Sequence, residues 1–157
     1  MYPRVVKYTD FDGEQQEETL YFHLGRSEVA DLEKDDETSF SKMLMDVGKK
    51  IDGAKIINMC KTIIARSYGI KSPDGKHFWK KPEILEDFLY SAAYDQLLWE
   101  LLQSPSDALG FLANVMPFSK EEKEKIQKPL AEAQAALAAA EEEAKNSGTV
   151  TPLVDGQ

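Results

Sequence analysis

Val5-Val6-Lys7-Tyr8, then Thr9-Asp10-Phe11-Asp12-Gly13, then Thr19-Leu20-Tyr21-Phe22-His23-Leu24 is the stretch that decides the fold class. Both arms are rich in β-branched and aromatic residues, and an Asp-Phe-Asp-Gly turn signal separates them. In the second arm Leu20, Phe22 and Leu24 share one face, while Thr19, Tyr21 and His23 share the other. This is the one convincing β-hairpin of the chain; every other periodic segment reads as helix. A lone hairpin is marginal in water, so its apolar face must pack on helices. The expectation is an α+β fold, predominantly helical: an N-terminal β-hairpin packed on a helical bundle, followed by a C-terminal alanine-rich helix.

Beyond Gly25, Ser27 suits the N-cap of a short helix through about Glu33, and Glu33-Lys34-Asp35-Asp36-Glu37 reads as a solvated connection. Ser39 or Thr38 opens a helix carrying Phe40, Met43, Leu44 and Val47. The clearest amphipathic helix runs from about Gly53 to Tyr68, with Ile56, Met59, Cys60, Ile63 and Ile64 on one stripe and Gly69 as its stop. Ile70 to Phe78, centred on Pro73-Asp74-Gly75, is predicted as an exposed loop with short extended flanks. Pro82 suits the first position of a helix through about Leu102 whose two apolar stripes differ in phase, predicting a bend near Ser91-Ala92-Ala93. Ser104-Pro105-Ser106-Asp107 caps a helix that displays Leu109, Phe111, Leu112, Val115 and Met116 and ends before Pro117.

After a second capping box at Ser119-Lys120-Glu121-Glu122 the aromatic residues vanish. Ile126, Leu130, Ala133, Leu137, Ala140 and Ala144 follow a four-three spacing, the mark of a narrow helical seam interrupted by Pro129. Helical to Asn146, the segment would span about 40 Å. Such a thin seam either docks weakly or awaits a partner. The expected organisation is a hairpin-plus-helix globular domain over 1–117, the alanine/glutamate-rich helix over 118–146 and a disordered tail over 147–157.

A chain of 157 residues with 42 % hydrophobic and 10 % aromatic content suits one globular domain, able to bury roughly 68–70 % of its unfolded surface. No apolar run reaches a membrane span, and no signal peptide precedes the hairpin. The single Cys60 excludes a disulfide framework and points to a reducing cytosol. The net charge of −9 is distributed as acidic, basic and acidic sections. Twelve acids lie between Asp10 and Asp46, nine bases between Val47 and Lys81, and fourteen acids from Pro82 onward. Such an arrangement neutralises itself on folding or presents a basic face, and its net field disfavours nucleic acid.

Catalytic chemistry finds no footing. His23 and His77 have no second ligand at metal spacing, and Asp10-Phe11-Asp12-Gly13 lacks the later oxygen ligands of a calcium loop. Neither a phosphate-cradling glycine loop nor a Ser/His/Asp order is present, and the serines at 27, 104 and 119 are explained as helix caps. The expectation is a non-enzyme without metal or cofactor. Trp79, Phe78, Met116 and Phe118 lie at loops or helix ends, where apolar side chains serve core edges or protein contacts.

The hairpin Tyr8 to Gly13 and Glu18 to Leu24, the loop Ser67-Tyr68-Gly69-Ile70-Lys71-Ser72-Pro73-Asp74-Gly75-Lys76-His77-Phe78, and Phe88 with Ser91-Ala92-Ala93-Tyr94-Asp95-Gln96-Leu97 together resemble the tail assembly chaperones of long-tailed (siphovirus-type) bacteriophages. The resemblance covers roughly residues 5 to 117 and leaves out the alanine-rich end. It implies a non-virion protein of the host bacterial cytoplasm that keeps the phage tape measure protein soluble while the tail tube polymerises. It also implies a longer form, made by ribosomal frameshift, that recruits the tail tube protein. A tape measure is a long helical protein with apolar stripes, so its chaperone needs a helix groove. Leu109, Leu112, Val115, Met116, Phe118, Ile126, Leu130 and Leu137 are the candidate contacts, and Leu112→Asp is expected to weaken client binding while sparing the fold. Homo-oligomerisation through the alanine-rich end is the alternative to a linker role there. A small acidic regulatory or inhibitor protein, binding a basic host partner, is the competing function.

Overall fold

The Asp10 side chain turns the chain back on itself. Its Oδ1 accepts the backbone N–H groups of Asp12 (3.0 Å) and Glu14 (2.9 Å), and Gly13 supplies the left-handed residue at φ +86°. β1 (Tyr2–Thr9) and β2 (Gln15–Phe22) leave this turn as an antiparallel pair, in register from Tyr2↔Phe22 to Thr9↔Gln15. The computed structural model describes residues 1–35, 38–46 and 53–147. In it Val6, Leu20, Phe22 and Leu24 are all buried, so the expected inward face is present, although β2 stops one residue short of His23. Asp10 also accepts the Gln16 side-chain N–H at 2.9 Å, which occupies the carboxylate in holding the turn.

Seven helices and one further short hairpin make up the other elements of the described residues. α1 (Arg26–Glu33) starts two residues before the expected point because Gly25, not Ser27, is its N-cap. Glu28 reaches back to accept the Gly25 N–H at 2.7 Å, doing the work assigned to the serine. α2 (Phe40–Asp46) is capped by Ser39, whose hydroxyl accepts the Lys42 N–H at 3.2 Å. The expected extension of this helix to Val47, and the acids Asp36 and Glu37, lie outside the described residues. α3 (Gly53–Ser67) buries the expected stripe Ile56, Met59, Cys60, Ile63 and Ile64. Gly69 is not a left-handed stop; it is required because a Cβ there would lie 2.5 Å from the Phe78 ring and 2.6 Å from the Trp79 carbonyl oxygen.

That close approach belongs to a second hairpin, β3 (Ile70–Lys71) with β4 (Phe78–Trp79), which corrects the reading of a single hairpin and realises the predicted extended flanks. Asp74 makes its turn, accepting the Ser72 hydroxyl at 2.5 Å and the Lys76 N–H at 3.0 Å. The predicted bend near Ser91 is a full break between α4 (Pro82–Leu89) and α5 (Ala92–Gln103). Ser91 caps α5 by accepting the Tyr94 N–H at 3.1 Å. α6 (Pro105–Val115) begins on the Ser104 cap and α7 (Lys120–Ser147) on the Ser119 cap, both as expected. Ser147 closes α7, and the remainder of the expected tail, 148–157, lies outside the described residues.

The hairpin and helices meet at Phe22. Its ring centroid lies 5.2 Å from Phe111, 6.0 Å from Tyr68 and 6.5 Å from Phe88, and Tyr68 stacks on Phe88 at 3.8 Å. Tyr2 and Tyr94 extend the cluster at either side. Each such ring pair adds about 0.5–1.5 kcal/mol to the burial term. Arg4 of β1 pairs with Glu100 of α5 at 3.1 Å, and Lys80 reaches Glu28 of α1 at 2.9 Å. α6 sits at the centre of the helical layer, packed against α3, α5 and α7.

Candidate protein-binding surface

Among the described residues no three His, Cys, Asp or Glu side chains are placed to hold a metal ion. Cys60 is fully buried, and burial pushes its thiol up to about 12. His23 packs edge-on against Phe78 at 5.7 Å, and His77 is an exposed residue of the second hairpin. No described helix is long and apolar enough to cross a membrane.

The candidate contacts divide into two groups. Leu109, Leu112, Val115 and Met116 are core residues of α6 and its C-cap, at most 4 % exposed. Leu137 of α7 is also buried, whereas Phe118, Ile126 and Leu130 are half-buried. The sequence could not separate them because α6 is apolar around most of its circumference, which is the pattern of a helix enclosed on several sides. At 3.6 residues per turn Phe111, Leu112 and Val115 point one way, while Ser106, Gly110 and Ala113 point the other. It is this second, small-residue side that α7 covers.

α7 is seated through its C-terminal half. Ala133 and Leu137 are buried there, while Ala140 and Ala144 of the same seam are exposed. Gly110 allows the approach: a Cβ there would be 2.8 Å from the Gln134 amide nitrogen, which donates to the Ser106 carbonyl at 3.2 Å. Glu141 then grips the start of α6, accepting the Ser106 N–H at 3.0 Å and the Ser104 hydroxyl at 3.3 Å. A carboxylate at that position also complements the positive end of the α6 dipole. Full burial of Leu137 is worth about 1.5–3 kcal/mol, and few other apolar groups of α7 contribute as much. Nearer its start, Ile126 and Leu130 pack half-buried against the core and border an open groove of about 370 Å³, lined also by Ala113, Asn114, Lys123, Glu124 and Gln127. Pro129, without a backbone donor, lies beside that groove.

Several exposed apolar residues were not singled out by their sequence positions. Trp99 (53 % exposed) and Leu102 (47 %) stand three residues apart on the outer side of α5. Phe11 projects from the hairpin turn and Tyr90 from the α4–α5 break. Their signal was the context: a turn tip and a helix junction leave no room for burial. Trp79, Met116 and Phe118 fall on both sides of the expectation for loop and end positions. Trp79 is exposed under Lys81 (5.6 Å to the ring), Met116 is buried, and Phe118 packs on Phe40 at 5.9 Å.

The described residues form a small helical α+β domain with several large apolar side chains at its surface and an open groove beside α7. Residues 1–153 match the phage tail assembly chaperone family, and the chain belongs to that family. The match runs through α7, so the alanine-rich helix lies inside the family pattern rather than beyond the limit of 117 that the resemblance drew. Neither a curated protein nor a solved structure matches the chain.

Proposed function

We propose that this chain is a non-enzymatic chaperone that binds the phage tape measure protein and keeps it soluble in the host bacterial cytoplasm while the tail tube polymerises around it. The observation that carries the reading is family membership across 153 residues, α7 included. The surface supports it: a client of amphipathic helices needs apolar side chains to dock on and a groove between helices, and the chain offers Trp99, Leu102 and the α6–α7 groove. The acidic charge of −9 keeps such an assembly dispersed. The protein would leave before the virion is complete, and a longer frameshifted form would bring in the tail tube protein.

The half-buried Phe118, Ile126 and Leu130 are the proposed client contacts that are partly exposed, and Leu109 and Met116 flank the same side of α6. Co-expression with the tape measure protein encoded by the same phage, followed by size-exclusion chromatography with light scattering, tests the proposal. A soluble complex with several copies per tape measure, from a tape measure insoluble alone, is the expected result. Failure to co-elute, with the tape measure still insoluble, would remove it.

A further inference from the structure

We infer that α7 is an internal placeholder: it occupies the client site on α6, and a helix of the client with the same contact chemistry displaces it. The inference rests on the chaperone reading above and specifies its binding surface. The side of α6 formed by Ser106, Gly110 and Ala113 already accepts a helix, and the chain shows which kind. The occupant brings a small residue, Ala133, and one leucine, Leu137, four residues apart, each at most 4 % exposed. It also brings an amide that meets the Ser106 carbonyl and, one turn beyond the leucine, a carboxylate that meets the Ser106 N–H and the Ser104 hydroxyl. A partner helix with an alanine-leucine stripe, an amide next to the alanine and a carboxylate one turn beyond the leucine reproduces every one of these contacts. Charge complementarity sets its direction, because the carboxylate must face the positive end of α6.

Four features make α7 exchangeable rather than part of the core. Of its apolar residues only Ala133 and Leu137 are buried, with Ile126 and Leu130 packed half-buried beside them. Along its first half the open groove bordered by Ala113, Asn114, Ile126 and Leu130 gives a client helix a place to begin. The Ser119–Glu122 capping box satisfies the start of α7 from within α7, through the Ser119 N–H to Glu122 bond at 2.6 Å and the Glu122 N–H to Ser119 bond at 3.2 Å. The capped helix, rich in alanine, glutamate and lysine, therefore keeps its local support when it leaves. Finally, Phe111, Leu112 and Val115 face away from α7, while Leu109 and Met116 flank its seat, so a departing α7 uncovers apolar side chains that a client helix covers in its place. A free chain then pays a conformational penalty before binding, and its apparent affinity scales with the fraction of molecules in which α7 has left.

A fluorescein-labelled peptide with the sequence of residues 120–147 is the probe, titrated with the full chain by fluorescence anisotropy. Leu137→Ala, which weakens the seating of the internal helix, should bind the peptide about tenfold more tightly than the unsubstituted chain. Glu141→Gln, a polar change at the other anchor, should act in the same direction. Gly110→Leu added to Leu137→Ala should abolish the gain by filling the α6 face, with circular dichroism confirming that each variant is folded. Equal peptide affinity in all folded variants would overturn the inference. So would a Leu137→Ala chain that runs as a dimer in light scattering, since a second copy would then be the occupant. In co-expression, Gly110→Leu should lose the tape measure that the unsubstituted chain carries. A folded Gly110→Leu that still carries it overturns this surface and leaves the chaperone reading standing, whereas an unsubstituted chain that carries none overturns that reading itself.

Discussion

Leu112→Asp distinguishes a surface stripe from a core on α6. Leu112 is fully buried on the side of α6 away from α7, so the substitution places a carboxylate where no donor can meet it. The expected cost is about 4 kcal/mol or more, and chemical denaturation should show an unfolded or barely folded chain rather than the folded, binding-deficient variant expected from the apolar spacing. Gly69→Ala should cost about 1–3 kcal/mol, because the new methyl would press on the Phe78 ring and the Trp79 carbonyl. A fall in the urea midpoint for this variant, with Gly53→Ala unaffected by contact since nothing lies within 4 Å of its Cβ position, checks that origin. Glycine after a helix is legible as punctuation, but the reason for this one is not, because the clash comes from residues nine and ten positions later across a turn. Cys60 was legible as a small core residue, and its buried thiol, with ionisation pushed up to about 12, should react with an aromatic disulfide reagent only as fast as the protein opens.

Elements were legible wherever one signal dominated. The alternation Leu20–Phe22–Leu24 with an Asp-Phe-Asp-Gly turn left a single register, and proline or serine at a helix start marked α4, α6 and α7. The break between α4 and α5 was legible only as a phase change in the apolar stripe; that Ser91 caps a new helix depends on the Phe88 carbonyl accepting its N–H at 2.9 Å. The client-contact stripe was the least legible, because the periodicity of α6 reveals apolar residues on nearly every side and says nothing of which neighbour takes each. The small side at Ser106, Gly110 and Ala113 was the usable sign, since helices approach closely where side chains are short. α7 keeps helical form through Pro129, which removes one backbone hydrogen bond and strains the preceding turn. Pro129→Ala should favour the helix locally by about 3 kcal/mol. Amide exchange around residues 125–133 should slow accordingly, and unchanged exchange there would mean that α7 is not a continuous helix at this point.

At the scale of the whole molecule the three charge sections are only partly matched against each other. Lys80 of the basic section pairs with Glu28 of the first acidic section, and Arg4 pairs with Glu100 of the last, while Lys61, Arg66, Lys71 and Lys76 form no ion pair among the described residues. The Glu28–Lys80 link ties α1 to the approach of α4, and His23 stands beside it. Burial lowers the pKa of His23 below its ordinary 6.5, helped by repulsion from the N-terminal ammonium and Lys80 and opposed by Glu28. For Glu28 burial acts upward, but the Lys80 ammonium and the Gly25 N–H outweigh it and hold the carboxyl below its ordinary 4.5. Both groups have folded-state values below their unfolded ones, so the unfolded chain takes up each proton first as the pH drops. The stability each contributes is complete above its unfolded value and is lost as the pH falls through its folded value. Urea midpoints should therefore be level from pH 8 to pH 7, fall once below about 6.5 with His23, and fall again below about 4.5 with Glu28 and the other held carboxylates. His23→Gln should erase the first fall and keep the second, because glutamine has no proton to gain in that window. A first fall that survives in His23→Gln would place its origin elsewhere.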